Sequence, residues 1–170
     1  MSDPCISPEL VARAEAAMQA LKANGLSVVT AESCTAGLVA AALAQADGAS
    51  ERLHGSFVVY TKANKTKALR VSASVLARYG SVTGEVAELM AKGALERSPA
   101  DIAVAVTGVL GPDEDEDRNP VGLVFLSCCR RGDEPRTVRR DYGKDHHERL
   151  RRLTVCDALG LLERTAKVRE

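Results

Sequence analysis

Apolar residues recur at helical spacing in three long segments and run almost unbroken through several short ones. In "SPELVARAEAAMQALKANG", Leu10, Val11, Ala14, Met18 and Leu21 share one helical face. Ser7 is placed as the N-cap, Pro8 as the first helical residue and Gly25 as the stop. In "TGEVAELMAKGALERS" the same spacing joins Val86, Leu89, Met90 and Leu95. Over residues 145–168 it joins Leu150, Leu153, Ala158, Leu161 and Leu162. A further helix is predicted over residues 35–46, and short helical turns over 62–70 and 74–79. Between them lie β-rich runs: "LSVVTA", "SFVVYT" (residues 56–61), "DIAVAVTG" and "VGLVFLSCC", with "RTVRRDY" as a candidate edge strand.

Continuous apolar strands alternating with helices predict an α/β domain. It should be a three-layer α/β/α sandwich with a mixed, mainly parallel sheet. The last strands are joined by short connections and are expected to be antiparallel. No repeat and no linker divides the 170 residues, so a single domain over residues 1–170 is expected.

Composition narrows the function. Lys and Arg number 23, Asp and Glu 23, so the formal net charge is zero. Aromatic residues are 3% and Trp is absent. Neither a basic face nor stacking platforms for nucleic acid are supplied, so no nucleic-acid partner is expected. The N-terminal segment lacks a signal-peptide pattern, and no apolar run reaches the roughly 20 residues of a membrane span. No membrane partner and a cytoplasmic location are expected. The cysteines, Cys5, Cys34, Cys128, Cys129 and Cys156, form no C-x-x-C pair. They read as reduced, mostly buried small side chains, with no metal site.

Three polar clusters follow predicted strands, where ligands of open α/β sheets bind. The first is Glu32-Ser33-Cys34-Thr35. Ser33 or Thr35 there is either a helix cap or, for Ser33, a nucleophile beside unpaired N–H groups. Cys34 is a rival nucleophile at the same helix start, but no histidine stands in a recognisable Cys–His pattern. The second cluster, "YTKANKTK", places Lys62, Lys65 and Lys67 after Tyr60. Most of these lysines read as solvated. One drawn into a cleft would lose its charge readily and could take a proton from serine without any histidine, with Tyr60 carrying the proton or orienting the amine. The third cluster, "TGVLGPDEDEDRNPVG", combines Gly108, Gly111 and Gly122 with five consecutive acidic residues. It lacks the glycine and the bidentate glutamate of a calcium loop and reads as a solvated acidic tip. His146 and His147, at the start of the last helix, also read as solvated.

Taken together, "TAESCTAGLVA", "GSFVVYTKANKTKAL", "GSVTGEVAELMAKGALERSPADIAVAVTG", "GP…NPVG" and "RRLTVCDALGLL" resemble the CinA C-terminal domain family over about residues 10–162. Its enzymatic members are nicotinamide mononucleotide amidohydrolases. The resemblance implies a three-layer α/β/α fold, a small-molecule pyridine nucleotide as partner, no cofactor and no metal, and a homo-oligomer. The nucleotide-processing domain that precedes this module in longer members is not expected here. By resemblance Ser33 attacks the carboxamide, Lys65 is the base and Tyr60 assists. Substrate-binding roles fall on Glu32, Thr35, Gly37, Thr107, Gly108, Gly111 and Arg151. The chain departs from the family pattern in two places. One glycine of "AESCTGG" is Ala36, whose methyl is expected to narrow the approach to the serine or to be harmless. The family's glycine-rich "GPGGG" before "KPVG" is "GPDEDEDRNPVG", which adds negative charge where a phosphate would be held.

Overall fold

The computed structural model describes residues 6–167. Cys5 and the predicted helix end at Val168 lie outside them. The elements run α1 (Pro8–Ala23), β1 (Val28–Glu32), α2 (Leu38–Leu43), α3 (Ala49–Arg52), β2 (Leu53–Val58), α4 (Lys62–Leu69), α5 (Ala73–Tyr79), α6 (Gly84–Glu96), β3 (Ile102–Gly108), β4 (Leu123–Arg130), β5 (Arg136–Asp141) and α7 (His147–Ala166). Ser7 caps α1, accepting from the Leu10 N–H, with Pro8 in the first turn, as the sequence predicts.

The five strands form one sheet in the order β2-β1-β3-β4-β5. β1 pairs in parallel with β2 and β3, while β3–β4 and β4–β5 are antiparallel. The sheet is mixed, but the expectation that it is mainly parallel is wrong. Neither the β3–β4 nor the β4–β5 connection contains a crossover helix, so those strands must reverse direction. The candidate edge strand is β5, and β2 forms the other edge.

Helices cover both faces, and the strand residues sort by size between them. Ile102, Val104 and Val106 join the cluster under α1, α2 and α7. Ala103, Ala105 and Ala31 join the cluster under α6. The alternation is that of a strand buried on both sides. Small residues on one face let α6 sit close, and Gly93 extends that closeness to α4. A Cβ at Gly93 would stand 2.2 Å from the Leu69 carbonyl oxygen. The α4–α6 contact therefore depends on glycine, and α4 carries Lys65.

The largest departure from the predicted elements is at α2. The helix begins at Leu38, not at residue 35, because residues 33–37 form a tight turn around a carboxylate. Glu32, fully buried, accepts from the hydroxyls of Thr30 (3.0 Å) and Thr35 (2.7 Å). It also accepts from the backbone N–H groups of Gly37 (3.0 Å), Val39 (3.0 Å) and Ala40 (2.9 Å). The side chain that caps α2 thus comes from the end of β1 and satisfies the helix's orphan donors. The turn puts Ala36 and Gly37 at positive φ, 51° and 94°. Ala36 is exposed and does not line the cleft that holds Ser33. The strand at β2 also shifts: it spans Leu53–Val58, not residues 56–61, and a short α3 precedes it.

Two outcomes follow for stability. Glu32→Gln substitutes a two-hydrogen donor for an acceptor that faces only donors. It should cost at least about 3 kcal/mol in denaturant unfolding, since each charge-assisted bond contributes roughly 1.5–3 kcal/mol. Ala36→Gly removes the Cβ from a left-handed residue and should raise unfolding free energy by up to about 1 kcal/mol in the same assay.

Candidate active site

The turn held by Glu32 presents Ser33 at the carboxyl end of β1, between the ends of β2 and β3. Its N–H donates to the Val106 carbonyl (3.0 Å), which fixes the backbone against β3. Its Oγ lies 2.8 Å from Lys65 Nζ. Lys65 is only 1% exposed, and its amine also donates to the Val59 carbonyl (3.1 Å). The lysine comes from α4, a polar helix whose only buried residues are Lys65 and Leu69, one turn apart. Lys65 thus occupies the position where such a helix would bury an apolar side chain.

Burial is what shapes its chemistry. Desolvation of the ammonium pulls the Lys65 pKa down to about 8, and the nearby Lys62 charge pushes the same way. A neutral amine can keep its bond to Val59 and offer its lone pair to the Ser33 hydroxyl. Cys34 goes the other way. Burial pushes its thiol up to about 12, so it remains protonated and poorly nucleophilic. Both rival nucleophiles lie near Lys65, but only Ser33 is hydrogen-bonded to its amine.

All three sequence clusters meet at one cleft of about 350 Å³. Ser33, Cys34, Tyr60, Thr107, Gly108 and Gly111 line it. Tyr60 is 66% exposed, and its hydroxyl has no hydrogen bond to Ser33 or Lys65. The amine's hydrogen-bond partners are the Val59 carbonyl and Ser33, and Tyr60, expected to carry the proton or orient the amine, lines the cleft without bonding to either. Thr107 donates its hydroxyl to the Ser81 carbonyl (2.7 Å), which ties the mouth to the loop before α6. Leu110 and Gly111 line the cleft, and their N–H groups have no acceptor among the described residues.

Four of the expected substrate-binding residues stand elsewhere. Glu32 and Thr35 are buried and hydrogen-bonded to one another, and Gly37 gives its N–H to Glu32. Both Glu32 oxygens are occupied by the turn, and these three residues build the support beneath Ser33 and do not line the cleft. Arg151 lies on α7 one turn after His147 and does not line the cleft.

The structure adds residues that the sequence reading set aside as solvated. His147 lines the cleft, its Nδ1 3.2 Å from the Leu110 carbonyl. The acidic segment is not a free tip. Asp115 folds it, accepting from the backbone N–H groups of Asp117 and Asn119 and from the Asn119 amide. Lys62 bridges to Glu116 (2.8 Å) and Asp117 (2.9 Å), drawing the segment toward α4. Asp113, Asp115 and Glu116 consequently line the same cleft as Ser33. The His146-His147 pair opening α7 was the only trace of this in sequence. The placement of the acidic loop had none, because it depends on Lys62, about fifty positions earlier.

No helix among the described residues is long and apolar enough to cross a membrane. Comparison with known proteins places this arrangement. A CinA-like protein of Akkermansia muciniphila is 41% identical over 147 residues, 86% of this chain and 36% of that protein. One of Citrifermentans bemidjiense is 38% identical over 144 residues, 85% of this chain and 34% of that protein. The chain thus spans about a third of the length of these relatives. Among solved structures, the competence/damage-inducible protein CihA from Agrobacterium tumefaciens superposes with a TM-score of 0.88 at 38% identity, covering 95% of this chain and 97% of that one. A CinA superfamily protein from Klebsiella pneumoniae gives 0.87 at 30% identity, covering 92% and 97%. The CinA C-terminal domain matches residues 11–166, and the chain belongs to that family, within the competence/damage-inducible protein superfamily.

Proposed function

We propose that this domain is an amidohydrolase that releases ammonia from a nicotinamide carboxamide, with Ser33 as nucleophile and Lys65 as base. The observation that carries the reading is the 2.8 Å contact between Ser33 Oγ and the buried Lys65 amine. A serine hydroxyl is a weak nucleophile until a base takes its proton. A lysine titrating near 8 is about a tenth neutral at pH 7, enough to serve as that base.

In this reaction Ser33 Oγ bonds to the carboxamide carbon as its proton passes to Lys65. The carbonyl oxygen gains negative charge, for which the N–H groups of Cys34, Leu110 and Gly111, all from residues that line the cleft, are candidate donors, since the Ser33 N–H is already bonded to Val106. The lysine returns the proton to the departing nitrogen, the C–N bond breaks and ammonia leaves an acyl-serine. Water, deprotonated by the same lysine, attacks the ester, and the carboxylate is released with Ser33 restored. Tyr60, as an aromatic wall of the cleft, suits a flat pyridine ring. The family resemblance points to nicotinamide mononucleotide as substrate and nicotinic acid mononucleotide as product. A binding module without turnover is the rival reading, motivated by the acidic segment. The intact Ser33–Lys65 pair favours turnover.

Ammonia release from nicotinamide mononucleotide, nicotinamide riboside and other amides tests the reading. Ser33→Ala and Lys65→Ala should each lower kcat/KM at least about a thousandfold, whereas Cys34→Ala should stay within a few-fold of the parent. Turnover retained by Ser33→Ala and lost by Cys34→Ala would reverse the nucleophile assignment. The pH profile is a second test. The neutral form of Lys65 is active, so kcat/KM should rise tenfold per pH unit on the acid side and level off above about 8. At pH 6 it should be about a hundredth of the plateau.

A further inference from the structure

The charge lining the cleft bears on which amide it accepts. Three acidic residues line it, Asp113, Asp115 and Glu116, and among the described residues no Lys or Arg does; the one basic side chain in the lining is the His147 imidazole, 3.2 Å from the Leu110 carbonyl through Nδ1. The cations nearby are committed or set back. Lys62 is held between Glu116 and Asp117. Lys65 lies behind Ser33, buried and drawn toward neutrality. Arg151 is one turn of α7 beyond His147 and outside the lining. The Asp115 carboxylate spends its oxygens on the loop. Asp113, exposed, lines the cleft and has no hydrogen bond or ion pair among the described residues. Counted with Asp117 and Lys62, this rim carries four negative charges against one positive.

An N-substituted nicotinamide has a fixed positive charge on its ring. With a bare ribose the molecule is a net cation. With a 5′-phosphate it becomes a net anion, whose phosphate projects away from the amide. When the carboxamide sits at Ser33, at the base of the cleft, the other end of the ligand reaches the rim. We infer that this rim selects the unphosphorylated, net-cationic nicotinamide nucleoside class over the mononucleotide. The inference rests on the amidohydrolase reading for its substrate class, while the selection itself is a property of binding. Like charges in a partly enclosed cleft repel more strongly than in open solvent, and salt weakens the effect.

Calorimetric titration of the full-length Ser33→Ala protein, which cannot consume the ligand, separates the two claims. Nicotinamide riboside should bind at least about tenfold more tightly than nicotinamide mononucleotide at low ionic strength, with the ratio shrinking as salt is added. Asp113→Asn combined with Glu116→Gln should lower that ratio several-fold. Mononucleotide binding as tight as riboside, an unchanged ratio in the double variant, or mononucleotide affinity that collapses in Arg151→Gln would each overturn the inference. In that case hydrolysis of the mononucleotide by the parent protein would still uphold the amidohydrolase reading. Preferential riboside binding with no ammonia release from any amide would instead overturn the amidohydrolase reading and leave the charge selection standing.

Discussion

The buried carboxylate of Glu32 is the constraint on which the site depends. It stands at the end of the central parallel strand and gathers five donors from a single stretch of chain, residues 30–40. A buried carboxylate is tolerable only when its hydrogen bonds are made. Here they can be made in one way: the chain must fold back at Ser33–Gly37 and start α2 at Leu38. That turn presents Ser33 with its backbone anchored to Val106 and its hydroxyl toward α4. The geometry of the nucleophile is thus a by-product of satisfying an acid that does not line the cleft.

The second buried ionisable group follows a different logic. Lys65 has two oxygen partners, Val59 O and Ser33 Oγ, and no carboxylate within salt-bridge distance. Charge there is costly, and the group relieves the cost by giving up its proton more easily. What holds it in place is packing: Leu69 on the same face of α4, and Gly93 of α6 against the Leu69 carbonyl. The two faces of the sheet contribute separately to the site, one through the α2 turn and the other through α4.

Much of this was legible in the sequence, and the exceptions share a cause. Strand and helix patterns located nearly every element, because apolar periodicity is local. A serine–lysine pairing was legible from topology, and the family resemblance singled out Lys65 among three candidate lysines. The start of α2 was misread because Thr35 looks like a cap in sequence, whereas the cap is Glu32, upstream and on a strand. Thr35, Gly37 and Glu32 were expected at the ligand because they adjoin Ser33. Adjacency in the chain could not say which of these side chains turn inward. The reversals at β4 and β5 were legible from their short connections, and only the balance was misjudged: two of the four strand pairings are antiparallel, so the sheet is not mainly parallel. The acidic segment and His147 were read as solvated since nothing local draws them to the cleft. Lys62 does so across the fold for the acidic segment, and the placement of the α7 start does so for His147.

The account stands or falls on Lys65 being a neutral base at near-physiological pH. Its Nζ and Cε resonances can be followed by NMR in the intact protein, with the lysine assigned by comparison with Lys65→Arg. An inflection near 8 is predicted. An inflection above about 10, the range of a solvated lysine, would contradict it.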